Sequence, residues 1–328
     1  MLTRRRLLAV SAGSVLASRL VGNGAQAEKS LDWPSRVVRV IVPVAAGGPT
    51  DTGARVLAEQ LAKIWGHQVV VENKGGAGTN LGNETVARSD PDGYTVLYAT
   101  SSLAVNRSLY RSLSYDALAD LAPVSLVAKF PLFMFVPNSS PAKSVMEFIS
   151  YAKAHPGKMT LGSPGTGSAP HLAGELFRQM AKIEMAHVPY RGAAPALTDA
   201  IGGQIDGVCD AAASVAQSVI EKLVKGLVVG STVRLATLPE LPTSAEAGLA
   251  EFEAQGWNGL FAPKGTPGEI IAKLNAAAKA AVESDAVKKR FSDLSTVAPD
   301  ADEHTPDVLQ KLVTRDVEKY KKLLEEKK

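Results

Sequence analysis

The stretch VRVIVPVAAGGPTDTGARVLAEQL, Val38 to Leu61, decides the fold. Val38, Val40, Ile41, Val42 and Val44 make a short β-branched run, the pattern of a strand covered on both faces. Gly47 and Gly48 then allow a tight turn and a close approach of backbone to a ligand. Pro49 and Thr50 suit a helix start with Asp51 in its first turn, and Ala54, Leu57, Leu61 and Ile64 recur at steps of three and four, giving that helix one apolar face. Unpaired amides and the positive end of a helix dipole thus face one small volume, which attracts anions. A carboxylate there gains about 0.3 to 2 kcal/mol from the dipole, too little to select a ligand. Glycines that serve turn geometry alone would read the same way.

The pattern recurs. Met159 to Ser163 reads as a strand leading into Pro164-Gly165-Thr166-Gly167-Ser168, and His171, Leu172, Glu175, Leu176 and Met180 follow at helical spacing. Two such turns on separate domains would take a carboxylate from both sides, a more specific signal than either alone.

Between them, Gln68 to Glu72 reads as a strand and Asn73 to Gly82, NKGGAGTNLG, as a loop running into a helix near Asn83 to Ala87. The loop nearly matches a dinucleotide fingerprint, but Leu81 stands where the third glycine belongs and no clean ribose-binding acid follows. Tyr94 to Ala99 is a third strand. Strands alternating with helices imply a parallel sheet with ligands beyond the carboxyl ends of its strands. Ser101 then lies on the same edge as Gly48 and Thr50, and Asn106 falls in a loop that closes over it, unless both serve as local caps.

Val124 to Val136, broken at Lys129-Phe130-Pro131, reads as a crossing into a second domain, and Gly256 to Ala262 as the crossing back. Within the second domain, Ser144 with Glu147 forms a capping box, as does Thr243 with Glu246 before a short helix. Ala186 to Tyr190 and Gln204 to Asp210 are strands, the latter ending on an acid that reaches the same cleft, pairs with Arg191 or caps the helix starting near Ala213. Thr266-Pro267-Gly268-Glu269 opens a long helix through about Glu283 with Thr266 as its cap, and Thr305-Pro306-Asp307 opens the last. Residues 28–128 and 250–328 therefore form one domain and 129–249 an inserted second, consistent with about 300 residues exceeding a single core.

Residues 1–27 read as a cleaved export signal. Arg4, Arg5 and Arg6 precede the apolar run Leu7 to Leu16, too short to span a membrane, and Ala25-Gln26-Ala27 is a small-x-small cleavage site. Thr3-Arg4-Arg5-Arg6-Leu7-Leu8 resembles a twin-arginine signal, so the export route is Tat-like or Sec. Without this segment 32 basic residues face 33 acidic ones, so the basic balance belongs to the signal and gives no support to nucleic-acid binding. Cys209, the only cysteine, excludes an internal disulfide.

The chain resembles the extracytoplasmic solute-binding receptors of the tripartite tricarboxylate transporters, the Bug family of periplasmic binding proteins. The resemblance rests on WPSRVVRVIVPVAAGGPTDTGARVLAEQL, VVVENKGGAGTNLG, ARSDPDGYT, SYDALADLAPVSLVA, HLAGELF, HVPYRGAAPALTDAIGGQID, LPELPTSAEAGL and GLFAPKGTP, in family order across nearly the whole chain after residue 27. It implies an α/β fold of two domains in the Venus-flytrap arrangement of periplasmic binding proteins, each a mainly parallel sheet flanked by helices. No enzyme activity, metal or cofactor is expected. The partners implied are a small organic carboxylate and the membrane subunits of a tripartite tricarboxylate transporter, with a monomeric receptor in the periplasm.

Carried over to this sequence, Gly48, Pro49, Thr50 and Asp51 would grip a ligand carboxylate from one side, and Gly165, Thr166, Gly167 and Ser168 from the other, partly through ordered water. Ser101 and Asn106 would shape the first wall, and Asp210 would meet the distal part of the ligand. The chain departs from the family after Cys209, where Ala211-Ala212-Ala213-Ser214-Val215 replaces an apolar or amide residue and a proline. Smaller side chains predict a roomier pocket and a ligand bulkier than a short dicarboxylate, an aromatic acid among the candidates.

Two other readings compete. An exported hydrolase would use Ser168 with His171, yet no Gly-x-Ser-x-Gly elbow is present, and His67, His155, His187 and His304 are scattered without metal-ligand spacing. A ligand sensor feeding a signalling partner would share the fold and the cleft.

Overall fold

The computed structural model describes residues 32–110 and 112–325; the expected signal, residues 1–27, lies outside them. Nine strands are present among the described residues: β1 (Val38–Val42), β2 (Val69–Asn73), β3 (Thr95–Thr100), β4 (Leu121–Pro137), β5 (Met159–Ser163), β6 (Met185–Pro189), β7 (Gly207–Ala211), β8 (Val224–Val229) and β9 (Gln255–Pro263). The helices are α1 (Pro49–Trp65), α2 (Asn80–Ala87), α3 (Ser102–Leu109), α4 (Val145–Ala154), α5 (Ala169–Ala181), α6 (Ala193–Ile201), α7 (Ala212–Ile220), α8 (Gly268–Glu283), α9 (Asp285–Asp293) and α10 (Pro306–Glu325).

The strands follow the order β2-β1-β3-β9-β4-β7-β5-β6, with β8 also on β4. At one end β1 pairs in parallel with β2 and β3, and at the other β5 pairs in parallel with β6 and β7. β9 and β4 run antiparallel to their neighbours between these ends. The long β4 serves both: Leu121 to Pro131 pair with β9, and Leu132 onward with β7 and β8. The apolar run expected to break at Lys129-Phe130-Pro131 is one unbroken strand that changes partner there.

Alternation along the strands assigns each face its helices. Val38, Val40 and Val42 pack with Leu57 and Leu61 of α1, Leu274 of α8 and Phe291 of α9. Ile41 and Leu97 look the other way, toward Val86 of α2, Leu103 of α3 and Leu309 of α10. In the second half of β4, Leu132, Met134 and Val136 meet Phe148 of α4 and Phe177 of α5, while Phe133 and Phe135 meet Ala196 of α6 and Val215 of α7. A smaller cluster of Val105, Leu172, Tyr320 and Leu323 ties α3, α5 and α10 together. No described helix is long and apolar enough to cross a membrane.

Several local expectations change. Ile64 is 46 % exposed rather than on the apolar face of α1, because the helix ends one residue later at Trp65, which stacks edge-on against Trp33. Asn106 sits on α3, not in a loop. Thr243 and Glu246 exchange the capping-box hydrogen bonds, but the segment stops after one turn. Thr266 does not cap α8: its hydroxyl donates back to Pro263, and Pro267 takes the cap position.

Candidate functional site

The carboxyl ends of β1, β3, β5 and β7 open onto one cleft of about 990 Å³. Gly48, Pro49, Thr50, Ser101, Gly165, Thr166, Gly167, Ser168 and Asp210 all line it, so strands distant in sequence deliver these expected residues to one volume. Asp51 and Asn106 do not line it.

On the first side the chain leaves β1, turns at Gly47 with φ +89°, and enters α1 with Gly48 at the cap and Pro49 at the first helical position. The helix ladder begins with the Thr52 amide, which donates to the Gly48 carbonyl at 2.9 Å, leaving the Thr50 and Asp51 amides as helix-end donors. The Asp51 side chain turns away from the cleft and is nearly buried: its carboxylate accepts from the Gly47 amide (2.9 Å), Arg55 Nε (3.0 Å) and Asn73 Nδ2 (2.8 Å). Burial alone would raise its pKa, but the bonds from Arg55, Gly47 and Asn73 outweigh it and hold the pKa below the ordinary value. Asp51 therefore ties the turn to the end of β2 and stays ionised.

On the second side Ser168 caps α5, its Oγ accepting the His171 amide at 3.3 Å while its own hydrogen goes to the Gly165 carbonyl at 2.7 Å. Gly167 has φ +81°, a conformation that favours glycine. Among the described residues the Thr166 and Ala169 amides have no protein acceptor, and both residues line the cleft. Two polar turns, each heading a helix, thus share one opening.

A third loop, which by sequence is only a connector, joins them. Gly75, Gly76, Gly78 and Thr79 line the cleft. Asn106 stands behind this loop: its Nδ2 reaches the Gly78 carbonyl (2.9 Å), Thr79 Oγ1 (3.1 Å) and Asn80 Oδ1 (2.7 Å). Tyr115 donates to the same Asn80 oxygen and accepts from Asn83, completing a buried polar network. Arg191, at the rim just after β6, is the one cationic residue on the lining among those described, and no ion pair joins it to Asp210.

Asp210, the penultimate residue of β7, is the buried acid of the cleft. Its Oδ1 accepts the Ala211 amide at 2.7 Å, while Oδ2 is buried without a hydrogen-bond partner. Desolvation pushes its pKa up to about 7, only partly offset by the Ala211 amide. Near neutral pH this group can offer or accept a proton at Oδ2. Ala211, Ala213 and Ser214 line the cleft with it, as do Phe130 and Phe291. Among the described residues no group of three or more His, Cys, Asp or Glu is placed to hold a metal ion.

A profile of the tripartite tricarboxylate transporter family receptor matches residues 53–328. The chain belongs to this receptor family. BugT of Bordetella pertussis is 35 % identical to this receptor over 290 residues, 88 % of each chain. Among solved structures, MatC from Rhodopseudomonas palustris with bound malate superposes with a TM-score of 0.79 at 35 % identity, covering 89 % of this receptor and 99 % of MatC. Rpa4515 of R. palustris with adipate gives 0.80 at 33 % identity, covering 90 % and 98 %. The receptor has the α/β periplasmic-binding-protein fold of these relatives, and the Bug-family resemblance of the sequence stands.

Proposed function

We propose that this receptor captures a small organic acid in the cleft, its carboxylate held between the turn Gly48 to Thr50 and the turn Gly165 to Ser168. The observation that carries the reading is that two helix-heading turns with unpartnered amides line one opening. Malate and adipate bound to structural relatives agree in chemical class. Ser101 shapes the first wall and Asp210 receives the distal part of the ligand, whereas Asp51 and Asn106 brace the loops from behind. The apolar flank formed by Ala211, Ala213, Phe130 and Phe291 favours an acid with a bulky, aromatic body over a short dicarboxylate.

In this reading residues 28–128 with 250–328 form one lobe and 129–249 the other, closing on the ligand by flexing where β4 and β9 pass between them. The receptor works as a monomer in the periplasm after residues 1–27 are removed by Tat or Sec export, and presents its closed form to the membrane subunits of a tripartite tricarboxylate transporter. A sensor role would use the same closed form with a signalling partner. Hydrolysis is disfavoured because the Ser168 hydroxyl hydrogen is directed at the Gly165 carbonyl rather than at a base.

The test is a thermal-shift and calorimetric screen of malate, adipate, benzoate and phenylacetate against the protein lacking residues 1–27. At least one acid should bind saturably and be recovered unchanged, and Thr50→Asp, which places a second anion at the mouth, should abolish that binding. Turnover of a bound acid, or a crystal with the acid outside both turns, would overturn the reading. A screen in which only the short aliphatic acids stabilise the protein would remove the aromatic preference.

A further inference from the structure

The turn Gly165 to Ser168 is held from behind by two stacked imidazoles. His171, in the first turn of α5, is 6 % exposed, and its Nδ1 accepts the Gly167 amide at 3.1 Å. In a neutral ring an accepting Nδ1 places the hydrogen on Nε2. That nitrogen faces Glu175 Oε1 at 3.7 Å, and both oxygens of the buried Glu175 accept from Arg178 Nη1 at 2.9 and 3.0 Å. His187, on β6, stacks on the His171 ring with centroids 4.1 Å apart. Its Nε2 lies 2.8 Å from Ser163 Oγ, and the same oxygen accepts the Gly165 amide at 3.3 Å. The amides of both glycines in the turn are therefore drawn inward, one directly and one through Ser163.

We propose that His171 is a positioning residue for the ligand-binding turn, its Nδ1 fixing the Gly167 amide so that the Thr166 and Ala169 amides are left for the ligand. His187 acts in the same sense at Gly165 through Ser163. The inference rests on the reading that this turn grips the acid. A buried amide must find an acceptor, and with Gly167 at φ +81° an unheld peptide has other orientations within reach. A ring that served packing alone would need no acceptor atom at this position.

The experiment compares His171→Leu with His171→Asn, because Asn Oδ1 is as many bonds from Cα as Nδ1 and restores an acceptor. Hydrogen exchange of the Gly167 amide is followed by NMR, and binding of malate, adipate, benzoate and phenylacetate by calorimetry. His171→Leu should speed Gly167 exchange by about tenfold or more and weaken the acid that the wild type binds by a similar factor, while His171→Asn stays within about threefold of wild type in both. Amides of α8 should not change in either variant. Wild-type Gly167 exchange in His171→Leu, fast exchange in His171→Asn, or faster exchange with unchanged affinity would each overturn the proposal. If His171→Leu fails to fold, His171→Ala, which also lacks the acceptor, takes its place with the same expected outcomes. If the wild type binds none of the acids, the ligand reading fails, whereas the exchange data still decide whether His171 fixes the turn.

Discussion

Ser102 and Gly167 are joined by a buried hydrogen bond, the Ser102 hydroxyl donating to the Gly167 carbonyl at 3.1 Å. One residue begins α3 beyond β3 and the other lies in the turn after β5, so the bond ties together the two ends of the sheet beside the cleft. Thr237 and Ser295 make a second such bond, 2.9 Å between their hydroxyl oxygens. Ser102→Ala should cost about 1 kcal/mol, which for a protein of this size lowers the unfolding midpoint by about 2 to 4 °C. Calorimetric melting without ligand measures this, and an unchanged midpoint would mean that the bond adds nothing in solution.

Asp210 gives a pH signature. Its carboxyl is pushed up to about 7 in the folded chain by burial, from an ordinary 3.8. Below the ordinary value both folded and unfolded chains hold the proton, and the group costs nothing. Between about 4 and 7 the unfolded chain releases it while the folded chain keeps it, so stability falls as pH rises, and the loss is complete above the folded value. Asp210→Asn removes the titrating group. The ligand-free variant should gain stability relative to the wild type as pH rises from about 4 to 7, in denaturant melts across that range. Parallel pH curves for the two proteins would show that Oδ2 does not titrate there.

Much of this fold is legible in the chain because burial on both faces leaves a dense signal. Val38 to Val42 can only be an inner strand, and Ser144 caps α4 where its spacing to Glu147 says it should. Two kinds of feature escape. The first is α9, whose charged stretch buries only Val287 and Phe291, too short a stripe to stand out as a helix. The second is the direction in which a side chain leaves its helix. The strand-turn-helix pattern brings Asp51 to the mouth of α1, but each residue turns about 100°, and Asp51 faces Asn73 while Thr50 lines the cleft. Asn106 was expected on the cleft for the same reason of proximity, yet it serves the Gly78–Thr79 loop. That loop holds Ala77 and Thr79 at positive φ, a conformation that its composition does not announce and that the Asn80, Asn83, Asn106 and Tyr115 network supports.

Asp51 is therefore expected to act on stability before it acts on binding. Asp51→Asn keeps the shape and one oxygen for Asn73, but the bonds from Gly47 and Arg55, which share the other oxygen, lose their acceptor, at a cost of about 1 to 3 kcal/mol at neutral pH. Because hydrogen bonds hold the folded carboxyl below its ordinary value, this stabilisation is present above the ordinary pKa and is lost as pH falls through the lowered folded one. Denaturant melts of the two proteins should differ at pH 7 and converge in strong acid. A difference that persists unchanged at low pH would assign the effect to packing instead.

Ala213 tests what the distal wall selects. It lines the cleft at the start of α7, near Asp210, on the side where small residues leave room. Ala213→Leu adds three carbons to that space without touching either amide-bearing turn, so the grip on a carboxylate should survive while a bulky body no longer fits. Overpacking of this kind costs about 1 to 3 kcal/mol, so binding of phenylacetate or benzoate should weaken by about tenfold to a hundredfold. Malate, short enough to stay near the turns, should hold its affinity within about threefold. Calorimetric titration of the same acids into both proteins makes the comparison. Equal losses for short and bulky acids would place the leucine in the path of the carboxylate itself, and no loss for either would mean that the ligand body lies away from α7.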